Sequence, residues 1–323
     1  MHHSVGPGLI WGFDLGEVVA TPIEECGGWQ DGHLRWLHFS LANQGTRQWI
    51  ADQSDLPETV RELLLSPETH QRALVDGDAI GCVFHDFERD FDVTSTNRLG
   101  PLRIALTPRR IITARLHPMR CADAVRRKLA DGAMIDGPAE ALDLLVNVIA
   151  ENAAAIGHTL SGQVQAAEDA LLEGHEPPTP REMIAVRRRL AQLHRMVDGM
   201  RRVIQRLEQD AELPEAAGPT VEKLAQRLQA IDGDIVAAQG QLRLLRDEIE
   251  ALEAQRTNQN LYMLSIVTAL LLPATLVTGI FGMNTGGLPF ANGPWGTVNA
   301  TLIAAGAALS TYLLLRWLGF MRR

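Results

Sequence analysis

Along residues 221–252 the apolar positions Val221, Leu224, Leu228, Ile231, Ile235, Ala238, Leu242, Leu245, Ile249 and Leu252 recur at alternating steps of three and four. A 3.5-residue repeat held this long predicts a helix with one narrow apolar seam. Such a seam buries itself against other helices, of its own chain or of further copies. No helix breaker separates it from the apolar run that follows, so the pattern favours a stalk at an oligomer axis. One helix over residues 220–281 would be about 93 Å long at ~1.5 Å per residue. Two further helices are expected at 138 to about 173 and at 181 to about 212. They are set apart by Gly174-His175-Glu176-Pro177-Pro178-Thr179-Pro180 and should form an antiparallel hairpin. A short helix at 122–131 precedes them. The first 115 residues read as mixed α/β, with strands at 34–40, 81–87, 102–106 and 110–114. The last two flank a turn at Thr107-Pro108-Arg109, and short helices are expected at 57–65 and 67–74.

Beyond the seam the pattern changes. Residues 257–315 contain no Asp, Glu, Lys, Arg or His. Within them, 261–281 is an apolar or hydroxylic run of about 31 Å as a helix, matching the ~30 Å hydrocarbon core of a bilayer. A second span runs from 297 to 315, extended to Trp317-Leu318. Arg256 precedes the first span; Arg316, Arg322 and Arg323 follow the second, and the connecting loop is uncharged. The positive-inside rule then predicts both termini in the cytoplasm. All 39 acidic residues precede the spans, with 27 of the 30 Lys and Arg, so the soluble part is net −12. That balance argues against a nucleic-acid partner, whose phosphates require a basic surface. It suits a body that handles cations.

Cys26, Cys82 and Cys121 form no C-x-x-C pair, so neither a disulfide framework nor a zinc knuckle is indicated. There is no P-loop, G-x-S-x-G or H-E-x-x-H, so neither an enzyme nor a bound cofactor is expected. Two spans cannot enclose a pore, whereas helices from several copies can. Pro273 frees the carbonyl of Ala269. Thr268, Thr275 and Thr278 add hydroxyls that either bond back to their own helix or face neighbours and water.

The run Pro273-Ala274-Thr275-Leu276-Val277-Thr278-Gly279-Ile280-Phe281-Gly282-Met283-Asn284 closely resembles the CorA family of divalent-cation transporters. The family's signature is Gly-Met-Asn at the outer end of the first of two C-terminal spans. The likeness covers the whole architecture and is residue-specific over about 273–289. Thr285-Gly286-Gly287-Leu288-Pro289, which lacks an acid, and Trp36-Leu37-His38 are more similar to the zinc-transporting, ZntB-like branch than to the magnesium branch.

This resemblance implies a funnel-shaped homopentamer in the bacterial cytoplasmic membrane. It comprises a cytoplasmic α/β domain (1–135), a helical hairpin (136–219), a stalk helix (220–260), a first transmembrane helix (261–281), an extracytoplasmic loop (282–296), a second transmembrane helix (297–318) and a cytoplasmic tail (319–323). Gly282, Met283 and Asn284 would form the outer mouth. Counting back, Gly279, Thr275, Leu272, Thr268, Leu264 and Leu261 would line the pore, the leucine rings gating by dewetting. An amide ring holds a hydrated dication through its waters without trapping it. Zn²⁺ is the expected cargo, with no His or Cys in the spans to strip it. Mg²⁺, Co²⁺ or Ni²⁺ is the alternative, and a non-conducting scaffold or sensor is the alternative of another class. Asp247 and Glu248 are candidates for a regulatory cation site between copies. The expected partners are further copies of the chain, the lipid bilayer and divalent cations.

Overall fold

The computed structural model describes residues 6–15, 20–23, 33–89, 98–175, 177–283 and 295–318. It resolves into two compact units, Met1–Leu245 and Arg246–Arg323.

The first unit opens with a seven-stranded sheet of β1 (Leu9–Leu15), β2 (Ala20–Pro22), β3 (Leu34–Ser40), β4 (Arg72–Asp76), β5 (Ala79–Phe87), β6 (Leu99–Leu106) and β7 (Arg110–Arg115). Their order is β2-β1-β3-β7-β6-β5-β4. All neighbours run antiparallel except β3 and β7. β3 is covered on both faces, and six of its seven residues are buried. Leu37 and Phe39 enter a core with Ile50 of α1 (Gln44–Ala51), Val60 and Leu64 of α2 (Glu58–Leu65), and Ile112 and Ala114 of β7. Trp36 and His38 point to the opposite face, as the two-residue period of a strand requires. The β6–β7 hairpin closes as expected. Thr107 N donates to Arg110 O at 2.8 Å, and Arg110 N donates to Thr107 Oγ1 at 2.9 Å.

One expectation is corrected. Residues 67–74 contain no helix, and their second half begins β4, which pairs with β5 from Arg72–Val83 to Asp76–Ala79. The turn between them contains Gly77 at φ 59°, a left-handed conformation that glycine adopts without steric cost. The hydrogen-bonded partner strand outweighs the weak local helical pattern.

The helical part follows α3 (Arg120–Ala130) with α4 (Pro138–Leu172), α5 (Pro180–Glu208) and α6 (Gly218–Phe281). α5 begins in a capping box. Glu182 N donates to Thr179 Oγ1 at 3.3 Å, Thr179 N donates to the Glu182 carboxylate at 2.8 Å, and Pro180 fills the first turn.

The seam of α6 brings the second correction. From Val221 to Ile249 every seam residue is buried in the single chain, and only Leu252, 37% exposed, is not. Up to Leu245 the seam lies in the first unit, where Gly157 of α4 sits against Leu193 of α5 and Ile235 of α6. Polar pairs fasten the same faces: Lys223 to Asp143 at 3.2 Å, Arg227 to Asn147 at 2.6 Å and His194 to Asp232 at 2.7 Å. The leucine-rich seam therefore closes a bundle within the chain. A heptad pattern specifies a partner helix without saying whose it is.

In the second unit, α6 continues to Phe281 and α7 spans Gly296–Trp317. Both helices are long and apolar enough to cross a membrane. None of the first apolar window and 6% of the second is buried within the chain. Core helices of a soluble protein would be mostly shielded, so the exposure separates these two from that class. α7 presents Ala300, Ala304 and Ala308 on one shielded stripe, the small-residue spacing that lets membrane helices approach closely.

Candidate functional site

Within residues 261–281 the side chains shielded by the unit are Ile266, Ala269, Leu270, Pro273, Ala274, Val277 and Phe281, one face of α6. The predicted lining residues Leu261, Leu264, Thr268, Leu272, Thr275 and Gly279 share the opposite stripe. All six are exposed in the single chain, Leu272 by 67%. The stripe is continuous and uncharged. Each hydroxyl on or beside it donates back to its own helix: Thr268 to Leu264 O at 2.8 Å, Thr275 to Leu271 O at 2.9 Å and Thr278 to Thr275 O at 3.0 Å. With its proton committed to the backbone, a threonine oxygen can only accept from what lies outside, such as a water carried by a cation. This is chemically apt for a hydrated ion passing an apolar wall.

The helix unwinds at Gly282 and Met283, whose amides bond Thr278 O at 2.9 Å and Ile280 O at 3.3 Å. Asn284 and residues 285–294, including Leu288 and the rest of the branch-like loop, lie outside the described residues, as do the tail 319–323 and Cys26.

The proposed regulatory acids are not brought together. Asp247 pairs with the neighbouring Arg246 at 2.8 Å, and Arg246 also reaches Glu250 at 3.3 Å. Glu248 is exposed one residue on, turned about 100° around the helix. Among the described residues, no three His, Cys, Asp or Glu side chains converge as metal ligands.

Trp36 and His38 turn out to be core residues. Thr113 Oγ1 accepts from Trp36 Nε1 at 3.1 Å and lies 2.8 Å from His38 Nδ1, while Arg115 Nε donates to His38 Nε2 at 3.0 Å. The arginine can only donate, so Nε2 is the acceptor and Nδ1 carries the proton. Trp11 stacks on the ring at 4.8 Å. Burial, aided by the Arg115 charge, pushes the His38 pKa from 6.5 to about 3, so the ring is neutral at physiological pH. It ties β1, β3 and β7 together and is no metal ligand. Asp86 serves α3 similarly: its buried carboxyl accepts from Cys121 N at 2.7 Å, at a helix start whose own N-cap, Met119, supplies no side-chain bond. Burial raises the Cys82 thiol to about 12 and raises Cys121 as well, so both are inert packing residues.

A second stripe on α6 escaped the sequence reading. Ala230, Gly233, Ala237, Gly240 and Leu244 also step by three and four, two residues out of phase with the leucine seam and therefore on the opposite face. All five are exposed, Leu244 by 69%. A methyl added at Gly233 or Gly240 would meet nothing within 4 Å. Small residues carry little hydrophobic signal, which is why the stripe is visible only as a phase-shifted heptad.

A profile of the family described as "CorA-like Mg2+ transporter protein" matches residues 31–322. The chain is similar to the zinc transport protein ZntB of Pectobacterium carotovorum subsp. carotovorum (strain PC1), at 26% identity over 303 residues, covering 92% of this chain and 90% of that protein. It is similar to the divalent cation transporter CmaX of Pseudomonas aeruginosa, at 26% over 295 residues, covering 88% and 87%. Among solved structures, full-length CmaX aligns with a TM-score of 0.80 at 23% identity over 98% of this chain and 99% of that one. The complete CorA magnesium transporter from Methanocaldococcus jannaschii aligns at 0.78, with 18% identity over 95% and 96%. These likenesses bear out the resemblance read from residues 273–289 and show a shared fold from the sheet to the C-terminal helices.

Proposed function

The chain belongs to the CorA-like transporter family, and on that premise we propose that it carries divalent cations, Zn²⁺ foremost, inward across a bacterial cytoplasmic membrane. The observation that carries the reading is the uncharged, exposed stripe from Leu261 to Gly279, which runs up to Gly282-Met283-Asn284. Copies of α6 surround an axis, five in number, and the stripe lines the conduit. Residues 261–281 and 297–318 span the bilayer, 282–296 lie outside, and the rest of the chain, with both termini, is cytoplasmic. Residues 257–315 contain no Asp, Glu or His, the side chains on which membrane proton relays are built, so no such relay runs through the spans. The membrane potential supplies the drive, about 4.6 kcal/mol per 100 mV for a dication. Axial assembly is supported by the small-residue face of α6. Mid-helix glycine costs about 1 kcal/mol relative to alanine, and Gly233 and Gly240 have no need of it within their own chain. Close approach of another backbone gives them one.

Asn284 is proposed to hold the waters of the arriving ion. Asn284→Ala removes the amide from every subunit at once, and about 1 kcal/mol per hydrogen bond sums to several kcal/mol around the ring. Uptake of Zn²⁺ and Mg²⁺ into liposomes should fall by orders of magnitude while assembly persists, with Leu288→Ala as the control. Wild-type uptake by assembled Asn284→Ala protein would end the reading. The same assay, run with both ions side by side, separates Zn²⁺ from the Mg²⁺, Co²⁺ or Ni²⁺ alternative. Absence of any flux would leave the scaffold.

A further inference from the structure

Helix α5 carries eight arginines against three acids, Glu182, Asp198 and Glu208. It is therefore +5 within a soluble part that is net −12, so the remainder of that part is −17. Four of the arginines, Arg181, Arg188, Arg195 and Arg202, repeat every seven residues, and all four are exposed. A heptad step rotates a straight helix by only ~20°, so the four form one row spaced about 10 Å apart at ~1.5 Å per residue. The row lies opposite the buried face of Leu193, Val197, Met200 and Ile204. Arg202 pairs with Asp198 on its own helix. Among the described residues, Arg181, Arg188 and Arg195 have no hydrogen-bond or ion-pair partner. Arg181 stands in the first turn, where the helix dipole favours anions. Arg202 and Arg206 add like charges at i,i+4. Asp198 offsets part of this charge at Arg201 and Arg202, whereas among the described residues no acid pairs with Arg181, Arg188 or Arg195.

We propose that this row docks on the acidic soluble surface of the next copy of the chain in the ring. The proposal rests on the oligomeric reading above and adds where and how neighbouring soluble parts engage. Subunits that close a ring through rotation use two different patches, each complementary to the other. A basic row on one helix and a net acidic remainder of the soluble part can form such a pair, and like faces repel, which opposes a two-fold dimer that would place row against row. A soluble polyanion would also match the charge of the row. The second copy is favoured because the molecule already carries the compensating acids.

The test uses the full-length protein in mild detergent. Arginine-specific labelling with phenylglyoxal, read by mass spectrometry, reports Arg181, Arg188 and Arg195, with exposed Arg126 on α3 as reference. In the assembled protein at 50 mM NaCl the row should be labelled at least fivefold more slowly than Arg126, and 500 mM NaCl should remove the difference. Arg188→Glu with Arg195→Glu should expose Arg181 at low salt and raise the protein concentration needed for assembly at least tenfold. Arg188→Lys with Arg195→Lys should assemble like wild type. Labelling of the row at the Arg126 rate in assembled wild-type protein would overturn the proposal and leave the oligomer standing. So would stoichiometric binding of inorganic polyphosphate to the assembled wild type that the double glutamate variant abolishes, because the row would then face solvent. A monomer at every salt concentration, by light scattering, would instead remove the oligomeric reading and this proposal with it.

Discussion

Replacing both Gly233 and Gly240 by alanine should have opposite effects on the chain and on its assembly. Each position is helical, exposed and free of neighbours, so each methyl enters open space. Alanine is favoured over glycine in a helix interior by about 1 kcal/mol, giving about 2 kcal/mol for the pair. For a unit of this size, 1 kcal/mol moves the melting point by about 2–4 °C, so protein dispersed to monomers should melt about 4–8 °C higher. Around an axis the same change adds two methyls per copy where backbones meet. Overpacking there costs about 1–3 kcal/mol per site before relaxation. The double variant should therefore assemble at higher protein concentration than wild type and carry less Zn²⁺ into liposomes. Circular dichroism melts of the dispersed chain, light scattering of the assembled one and uptake measure the three quantities. If the melt falls, the glycines serve the chain itself. If the melt rises while size and uptake stay at wild-type values, no backbone comes near this face, and the axial placement of α6 is wrong.

Two further perturbations probe the soluble part. Because the His38 pKa is depressed from 6.5 to about 3, its contribution to stability is complete above pH 6.5. It is lost as pH falls towards 3, at up to about 1.4 kcal/mol per pH unit. Urea midpoints should thus drop between pH 7 and 4.5 more steeply for wild type than for His38→Phe, and equal slopes would contradict the neutral-ring assignment. Gly199→Ala would place a methyl 2.0 Å from Gln71 Nε2 and should cost about 1–3 kcal/mol. Adding Gln71→Ala should recover part of that loss; simple additivity in the double-mutant cycle would show that the two residues do not meet.

The long helices and the apolar spans were legible because their patterns repeat over many turns. Most strand positions were legible too, but β1 was not: Ile10 and Gly12 blur the polar side of its Leu9-Trp11-Phe13-Leu15 alternation, and its pairing with β3 is a tertiary fact. α1 escaped because it is eight residues long and buries only Thr46 and Ile50. The helix expected at 67–74 had a local counter-signal, the Asp76-Gly77 pair, a hairpin turn signature placed just beyond it. The lining stripe follows from counting along one helix, so its common face was predictable. Whether a hydroxyl serves its own backbone or a neighbour depends on rotamers that spacing does not specify, and the structure resolves Thr268, Thr275 and Thr278 in favour of the backbone. Trp36 and His38 stood out in the sequence only as a likeness to the zinc-transporting branch. Only the convergence of both on Thr113 reveals a structural role.

Gln71 has a consequence for how the soluble part can move. Its amide oxygen accepts from His85 N of β5 at 3.2 Å, and its amide nitrogen donates to Met196 O of α5 at 3.0 Å. A primary amide donates and accepts at its two ends, so one side chain clasps a strand and a helix that share no backbone bond. Hydrogen bonds weaken within a few tenths of an ångström beyond their normal range, which leaves α5 little room to slide past the β4–β5 hairpin. The two count as a single moving part, and any rotation of α5 must carry the edge of the sheet with it or break the clasp. The His85 amide is then a built-in gauge. Its hydrogen-exchange rate should stay low while helix and hairpin travel together and rise whenever they part, reading out the motion of one element from a proton held by another.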